Sequence, residues 1–197
     1  MTLKQLCAII YKDKYALNNI PIYAECRNGG NETYMKIRIF SRQAVEELIA
    51  TDFPENTAVI SFYDPPSKRT HADYAPVDYQ NKCAKLFQVG VHDIDLEILG
   101  DYGLTFDTYL PEAEKLAAFI IDSIKKGHDI ICQCEHGQSR SAACAAAILE
   151  FMSRSGIKVF ADYRYYPNQL IFNKIYKALK QEAKRRKEAD KNEDNQT

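Results

Sequence analysis

Four stretches of the chain have the hydrophobic pattern of β-strands. They are short runs rich in β-branched and aromatic residues at positions 34–40, 57–63, 85–91 and 129–134. The run TAVISFY at 57–63 is predominantly apolar, which is typical of a strand covered on both faces. Ahead of these four, CAIIY and IPIYAEC each have the composition of a strand, and RNGGNET is predicted to be a loop.

Helical patterns separate the predicted strands. Ser41 is a suitable N-cap for the amphipathic segment RQAVEELIA. A proline in the first turn and a glycine just past the end delimit a helix predicted over 110–126. An alanine-rich helix is predicted over 140–155, and apolar residues recur at helical spacing over 168–189. Strands that alternate with helices indicate an α/β fold with a central, mostly parallel sheet flanked by helices.

The length of the chain suits one domain. We expect a folded domain over residues 35–187, an N-terminal extension (residues 1–34) packed on it and a disordered tail over 188–197. A polar loop with three prolines spans 64–80. A loop of this length in a compact domain is either functional or a variable surface excursion, and both interpretations stay open.

Composition and charge exclude several classes of function. The formal net charge of −1 gives no basic field that would attract nucleic acid or an acidic membrane. No apolar run approaches the roughly 20 residues of a membrane-spanning helix, and the N-terminus lacks the features of a signal peptide. Six cysteines in a mid-sized domain do not indicate a disulfide framework. We therefore expect a cytoplasmic protein with free thiols.

The strand predicted over 129–134 ends at a cysteine, and a short polar loop joins it to the alanine-rich helix. The stretch is QCEHGQSRS, which contains Cys134, Gly137, Arg140 and Ser141. In open α/β sheets, ligands bind where a strand ends and a helix begins. Backbone N–H groups and the positive end of the helix dipole converge there on an anion. Gly137 permits the tight curvature, and Arg140 adds a planar fork of donors that can grip two phosphate oxygens.

The same surroundings favour a reactive sulfur at Cys134. A thiol beside a helix N-terminus and an arginine loses its proton more easily, and the thiolate is the nucleophile. Ser141 is placed to donate a hydrogen bond to that sulfur and to ease its later departure. An anion cradle and a nucleophile in one loop predict phosphoryl transfer through cysteine. A Cys-x5-Arg spacing alone is weak evidence among six cysteines, but the added glycine, serine and strand–loop–helix context make a chance match rare.

In these residues the chain resembles the cysteine-dependent protein tyrosine and dual-specificity phosphatases, whose signature is His-Cys-x-x-Gly-x-x-Arg-[Ser/Thr]. It looks most like compact bacterial members of the dual-specificity type, over residues 35–180. The resemblance implies hydrolysis of phosphotyrosine, with phosphoserine and phosphothreonine as further candidates, through a phosphocysteine. Gln133 stands where the family has histidine. Because glutamine carries no charge, a weak or inactive module that binds phosphorylated ligands is the alternative.

The resemblance also implies roles for the residues of the loop. Cys134 would be the nucleophile, Arg140 would hold the phosphate, and Ser141 would assist the sulfur. Five further residues of the loop would bind the substrate: Glu135, His136, Gly137, Gln138 and Ser139.

A thiolate that attacks a phosphate monoester needs an acid to protonate the leaving oxygen. In the phosphatases that acid is an aspartate upstream of the cysteine, and this chain offers Asp93, Asp95, Asp101 and Asp107. Asp93 follows a predicted strand in the context VHDI, which bacterial relatives typically show, so it is the first candidate. Asp95 and Asp101 stay open as alternatives.

No metal or other cofactor is predicted. His92 and His136 lack the spacing of a ligand set, and Cys132 is expected to be buried as a small hydrophobic residue. Cys144, one turn into the helix, is expected in the core. A role for Cys144 as a resolving thiol that protects Cys134 from over-oxidation is the alternative.

The predicted partner is a phosphorylated protein or a small phosphomonoester. The loop has Glu135, His136 and Gln138, whereas phosphoinositide-directed relatives tend to have lysines, which argues against an inositol lipid. The tyrosines within 162–167 belong either to a cleft for an aryl phosphate or to the core and its rim. Rhodanese-type sulfur transfer, which also uses a cysteine in a curled loop, ranks last because its loops usually place fewer residues before a basic residue. The oligomeric state is left open.

Overall fold

Strands and helices alternate along the computed structural model, which describes residues 22–28, 31–66 and 75–194. The strands are β1 (Ile22–Asn28), β2 (Asn31–Ser41), β3 (Thr57–Tyr63), β4 (Lys85–Gly90) and β5 (Asp129–Cys134). The α-helices of the described residues are α1 (Arg42–Ala50), α2 (Ala113–Lys125), α3 (Arg140–Ser153), α4 (Ile157–Phe160) and α5 (Gln169–Asp194). A 3-10 helix spans Leu96–Tyr102.

The strands form one sheet in the order β1-β2-β5-β3-β4. Neighbours among β2, β5, β3 and β4 are parallel, and β1 pairs antiparallel with β2 at one edge. This confirms the predicted α/β class with a mostly parallel sheet flanked by helices. Because the four parallel strands share one direction, their carboxyl ends meet at a single edge of the sheet, where Ser41 is the register partner of Cys134.

Helices cover both faces of the sheet. Apolar side chains of α2, α3 and α5 form the larger core on one face, and α1 contributes Val45 to a smaller core on the other. Alternation along β5 sends Ile131 to the α1 face and Cys132 to the opposite face. A strand covered on both faces must be apolar on both, which explains the composition of β3 and β5.

Most element positions follow the hydrophobic pattern, and Ser41 caps α1 by accepting a 3.2 Å hydrogen bond from the N–H of Ala44. Two segments differ from the prediction. Most of the loop predicted over 27–33 is strand, because β1 and β2 pair up to Asn28 opposite Asn31. The 3-10 helix after β4 corresponds to no predicted element. The strand proposed for CAIIY lies outside the described residues.

Helix α5 continues to Asp194, where the sequence predicts a disordered tail from 188 onwards. The segment is rich in alanine, lysine, arginine and glutamate, which are good helix formers, and Lys184 lies 3.8 Å from Glu188 at i,i+4 spacing. The domain boundaries stay a prediction. None of the helices in the described part of the chain is both long and apolar enough to cross a membrane.

Candidate active site

The loop between β5 and α3 lies against the end of β2. Gly137, in the middle of this loop, has a φ of +68°, which strongly favours glycine. A Cβ atom on Gly137 would lie 2.6 Å from the nitrogen of Ser41 and 2.9 Å from the carbonyl carbon of Phe40. Backbone curvature and close approach to β2 therefore both require glycine at this position.

Cys134 and Ser141 face each other beneath the loop. The side chain of Cys134, the last residue of β5, points to the α3 face of the sheet and is buried. Its Sγ lies 3.0 Å from the Oγ of Ser141, a buried residue in the first turn of α3. Strand register and helix phase thus bring this thiol and this hydroxyl into hydrogen-bonding contact.

Arg140 is 3 % exposed and is held by a bidentate ion pair. Its Nη1 and Nη2 donate to the two carboxylate oxygens of Asp64 at 2.9 and 3.0 Å, and Nη1 also donates to the carbonyl of Val91 at 2.9 Å. Burial by itself would lower the pKa of Arg140. The hydrogen bonds and negative charge of Asp64, and the charges of Cys134 and Asp93, outweigh this effect, so the pKa is raised. The guanidinium therefore stays positively charged.

The Nε of Arg140 is also buried and has no hydrogen-bond partner among the described residues. It lies 3.8 Å from Oδ2 of Asp93. A buried N–H donor without a partner is costly, and such a group marks the place where an acceptor would be stabilised. One edge of the guanidinium is therefore committed to Asp64, and the Nε edge is available to an anion.

Asp93, three residues past the end of β4, is tied to the loop. Its Oδ1 accepts a 2.7 Å hydrogen bond from the hydroxyl of Ser139 and a 3.0 Å bond from the side-chain amide of Asn168. The same amide donates to the carbonyl of Ile94 at 3.0 Å. The Oδ1 of Asn168 accepts from the N–H of Ile171 at 3.0 Å, so Asn168 also caps α5. Asn168 thereby connects the start of helix α5 to the segment after β4 that carries Asp93.

The other candidate acids lie apart from these contacts. Asp95 is exposed at the start of the 3-10 helix and makes no side-chain capping bond there. Asp101 and Asp107 are exposed as well. Among these aspartates, only Asp93 makes a side-chain contact with the loop within the described residues.

The remaining loop residues point away from Cys134 or into solvent. The carboxylate of Glu135 accepts a 2.8 Å hydrogen bond from Nε of Arg42, at the start of α1. His136 and Gln138 are exposed, and the carbonyl of Gln138 accepts from the N–H of Tyr166 at 2.9 Å. These contacts hold the loop to α1 on one side and to the segment before α5 on the other.

Gln133 lies on the opposite face of the sheet from Cys134, as alternation along β5 requires. Its Oε1 accepts hydrogen bonds from the hydroxyls of Ser61 at 2.6 Å and Tyr79 at 3.3 Å, and all three side chains are buried. Burial, as the largest effect, raises the pKa of Tyr79, so its hydroxyl stays protonated and remains a donor. The position before the cysteine is thus part of a neutral, hydrogen-bonded cluster.

Cys144 interacts with Cys132 in the core. Both thiols are buried, and burial, followed by the hydrogen bond and charge of Cys132, raises the pKa of Cys144 well above its ordinary value. This places both thiols in the core, as expected. Over the described ranges, no three histidine, cysteine, aspartate or glutamate side chains are grouped to hold a metal ion.

Asp64 and Asn168 are site residues that sequence analysis missed. Asp64 directly follows β3, so the rule that places Asp93 and Cys134 at the carboxyl edge of the sheet applies to it as well. Asn168 follows Pro167 and precedes the apolar pattern of α5, which is the usual position of an N-cap. Both signals are present in the sequence, but neither indicates which group the side chain contacts.

No family model matches this chain, and no curated protein matches it. Among solved structures, human DUSP28 is 17% identical at a TM-score of 0.42, covering 73% of this chain and 91% of that chain. PTPMT1 in complex with PI(5)P is 12% identical at a TM-score of 0.45, covering 77% of this chain and 92% of that chain. These neighbours belong to the dual-specificity phosphatase fold family, which the loop sequence resembles.

Proposed function

We propose that this protein is a cysteine-dependent phosphatase that hydrolyses phosphate monoesters, chiefly phosphotyrosine, with phosphoserine and phosphothreonine as further substrates. The observation that carries the proposal is the buried guanidinium of Arg140. Asp64 fixes it from one side, its charge interacts with Cys134, and its Nε has no hydrogen-bond partner in the described part of the chain. A phosphate oxygen bound in the loop would satisfy that donor beside the nucleophile.

In the first step, Cys134 attacks the phosphorus atom as a thiolate, in line with the leaving group. The S–P bond forms while the bond from phosphorus to the leaving oxygen breaks, and Asp93 transfers its proton to that oxygen. Arg140 and the backbone N–H groups of the loop hold the other phosphate oxygens and stabilise their charge. The products of this step are a phosphocysteine and a free phenol or alcohol.

Water completes the turnover. Asp93, now a carboxylate, accepts a proton from a water molecule as the water oxygen attacks phosphorus. The S–P bond breaks, inorganic phosphate leaves, and Ser141 donates its hydrogen bond to the departing thiolate, for which a 3.0 Å separation is suitable. Protons pass only between Asp93, the leaving oxygen and water, and Arg140 and the loop N–H groups stabilise the phosphate charge, so turnover should not depend on an added metal ion.

The first experiment measures hydrolysis of para-nitrophenyl phosphate by the purified full chain. We expect turnover that persists in EDTA, is inhibited by vanadate and is abolished by Cys134→Ser. Cys83→Ser, which removes a half-buried thiol before β4, serves as the matched control and should retain activity. Turnover that survives Cys134→Ser would overturn the proposal.

A module that binds phosphorylated ligands without turnover is the second candidate, and Gln133 is the observation that favours it. This residue has no charge, and its side-chain oxygen is committed to Ser61 and Tyr79 on the far face of the sheet. Tight binding of a phosphotyrosine peptide, lost in Arg140→Met, together with no detectable hydrolysis by the unmodified chain, would favour this candidate over the enzyme.

A further inference from the structure

A cleft of about 780 Å³ opens beside the candidate phosphate loop. Ser139 of the loop and Asp93 are among its lining residues, and these are the same side chains that hydrogen-bond to each other in the candidate active site. Pockets for small ligands measure about 300–1,000 Å³, so this volume accommodates a phosphotyrosine side chain together with part of a neighbouring residue. A substrate with its phosphate at Cys134 would extend its remaining atoms along this cleft.

Aromatic side chains form much of the wall of the cleft. Phe160 at the end of α4, Tyr165 in the segment before α5, and Phe106 line it. Tyr166 also lines it and is 72% exposed, so its ring is accessible to a ligand. These rings suit the aryl group of a phosphotyrosine and the aliphatic stem of a long side chain next to it.

The charges of the cleft have a single sign. Among the described residues that line it, the ionisable groups besides the tyrosines are the carboxylates of Asp93, Asp95 and Glu97, with no lysine, arginine or histidine. The carboxylates of Asp95 and Glu97 form no salt bridge with another described residue. The nearby ammonium of Lys174 is occupied by the carbonyl oxygens of Phe106 and Asp107, at 2.8 and 3.2 Å. Carboxylates without a paired cation attract a positive charge on a ligand.

We propose that this cleft selects phosphotyrosine peptides with a lysine or arginine adjacent to the phosphotyrosine. The inference rests on the proposed function, because it assumes that Cys134 and Arg140 hold the phosphate. The aryl ring lies among the aromatic side chains, and the basic residue of the peptide reaches Asp95 and Glu97. The same field disfavours substrates with additional phosphates or acidic flanking residues.

The test compares two phosphotyrosine peptides that differ only in the residues flanking the phosphotyrosine, arginine in one and glutamate in the other. For the unmodified chain at low salt, we expect kcat/KM to favour the arginine peptide about 3- to 10-fold, as expected for exposed charge pairs. The ratio should fall in 0.5 M NaCl, because salt screens exposed charges. In Asp95→Asn/Glu97→Gln the ratio should approach one.

Asp52→Asn/Glu55→Gln is the matched control. It removes the same two charges from exposed positions in the segment before β3, at the opposite edge of the sheet, and should retain the arginine preference. A ratio of one or below in an unmodified chain that hydrolyses para-nitrophenyl phosphate overturns the cleft proposal and leaves the phosphatase proposal standing. If no ester is hydrolysed, the proposed function fails. Binding of the same two peptides to the Cys134→Ser protein then tests whether the cleft prefers a basic neighbour. Preferential binding of the arginine peptide there supports the cleft, and equal binding contradicts it.

Discussion

Asp64 and Asn168 hold side chains of the candidate active site in place without belonging to its loop. Asp64 orients the planar guanidinium of Arg140 through two parallel hydrogen bonds, which leaves the Nε edge for a substrate oxygen. Asn168 fixes Asp93, together with the hydroxyl of Ser139. Because these partners already hold the side chains of Arg140 and Asp93 in place, a reaction at the site would require less rearrangement of them.

Replacing Asp64 tests whether the orientation of Arg140 matters. Asp64→Asn should lower kcat/KM for para-nitrophenyl phosphate about 10- to 100-fold, the range expected from losing a hydrogen bond to a charged group. Inhibition by vanadate should weaken in parallel, because the same guanidinium holds both anions. Asp52→Asn, at an exposed position in the segment before β3, is the control. Full activity in a folded Asp64→Asn protein would mean that the carbonyl of Val91 suffices to hold Arg140.

Replacing Asp93 tests the identity of the general acid. Asp93→Asn should slow hydrolysis of a tyrosyl phosphate about 10²- to 10⁴-fold, and hydrolysis of an activated nitrophenyl ester less, because a good leaving group needs little protonation. The basic limb of the pH–rate profile should flatten, because that limb reports the general acid of the reaction. Equal losses on both esters with an unchanged profile would assign the acid to Asp95 or Asp101.

At the scale of elements, α5 is joined to both the site and the rest of the helical layer. Its N-terminus carries Asn168, and farther along it Arg186 donates to Asp122 of α2 at 2.6 Å and to Glu182 of α5 itself at 2.6 Å. Glu182 is buried, so its carboxylate depends on these donors. The same helix thus links the cap beside Asp93 to the packing of α2.

The Arg186 contacts should stabilise the fold in a pH-dependent way. Hydrogen bonds from Arg186 are the largest effect on both carboxyl groups and hold the pKa of Asp122 and of Glu182 below their ordinary values of 3.8 and 4.5. Because the folded-state pKa values are lowered, this contribution is present above those ordinary values and is lost as the pH falls through the folded-state values. Arg186→Met should cost about 1 kcal/mol at pH 7 and much less near pH 3.

Urea unfolding at the two pH values measures this difference. Lys184→Met is the control, because its 3.8 Å pair with Glu188 is exposed and should contribute little at either pH. An equal loss of stability in Arg186→Met at pH 7 and pH 3 would show that the aliphatic stem of the arginine, and not its charge, stabilises the helix pair.

At the scale of the molecule, a net charge of −1 conceals an uneven distribution of charged groups. The guanidinium of Arg140 is buried beside the candidate nucleophile. In the adjoining cleft, tyrosines aside, the ionisable groups among the described lining residues are all carboxylates. The net charge of the chain therefore does not indicate which ligand charge the site prefers. The local fields favour an anion at the loop and a cation beside it.

Most elements and the motif of the loop between β5 and α3 follow from local signals in the sequence. Predominantly apolar runs predict β3 and β5 with their observed bounds, because a strand covered on both faces is mostly apolar. The spacing of Cys134, Gly137 and Arg140 predicts a curled loop between a strand and a helix, because these residue types determine backbone curvature and charge over a few positions. The parallel arrangement also follows, since strands and helices alternate.

Contacts between distant positions were decided only by the tertiary structure. Asp64 and Arg140 are separated by 76 positions in the chain, and Asp93 and Asn168 by 75, so no local pattern reports that they meet. The contact of Asp93 with Ser139 depends on where β4 ends relative to β5, and the acidic cleft depends on how the segment before α5 packs beside that end. Periodicity reports which face of an element is buried, whereas sheet order and helix packing determine which side chains share a site.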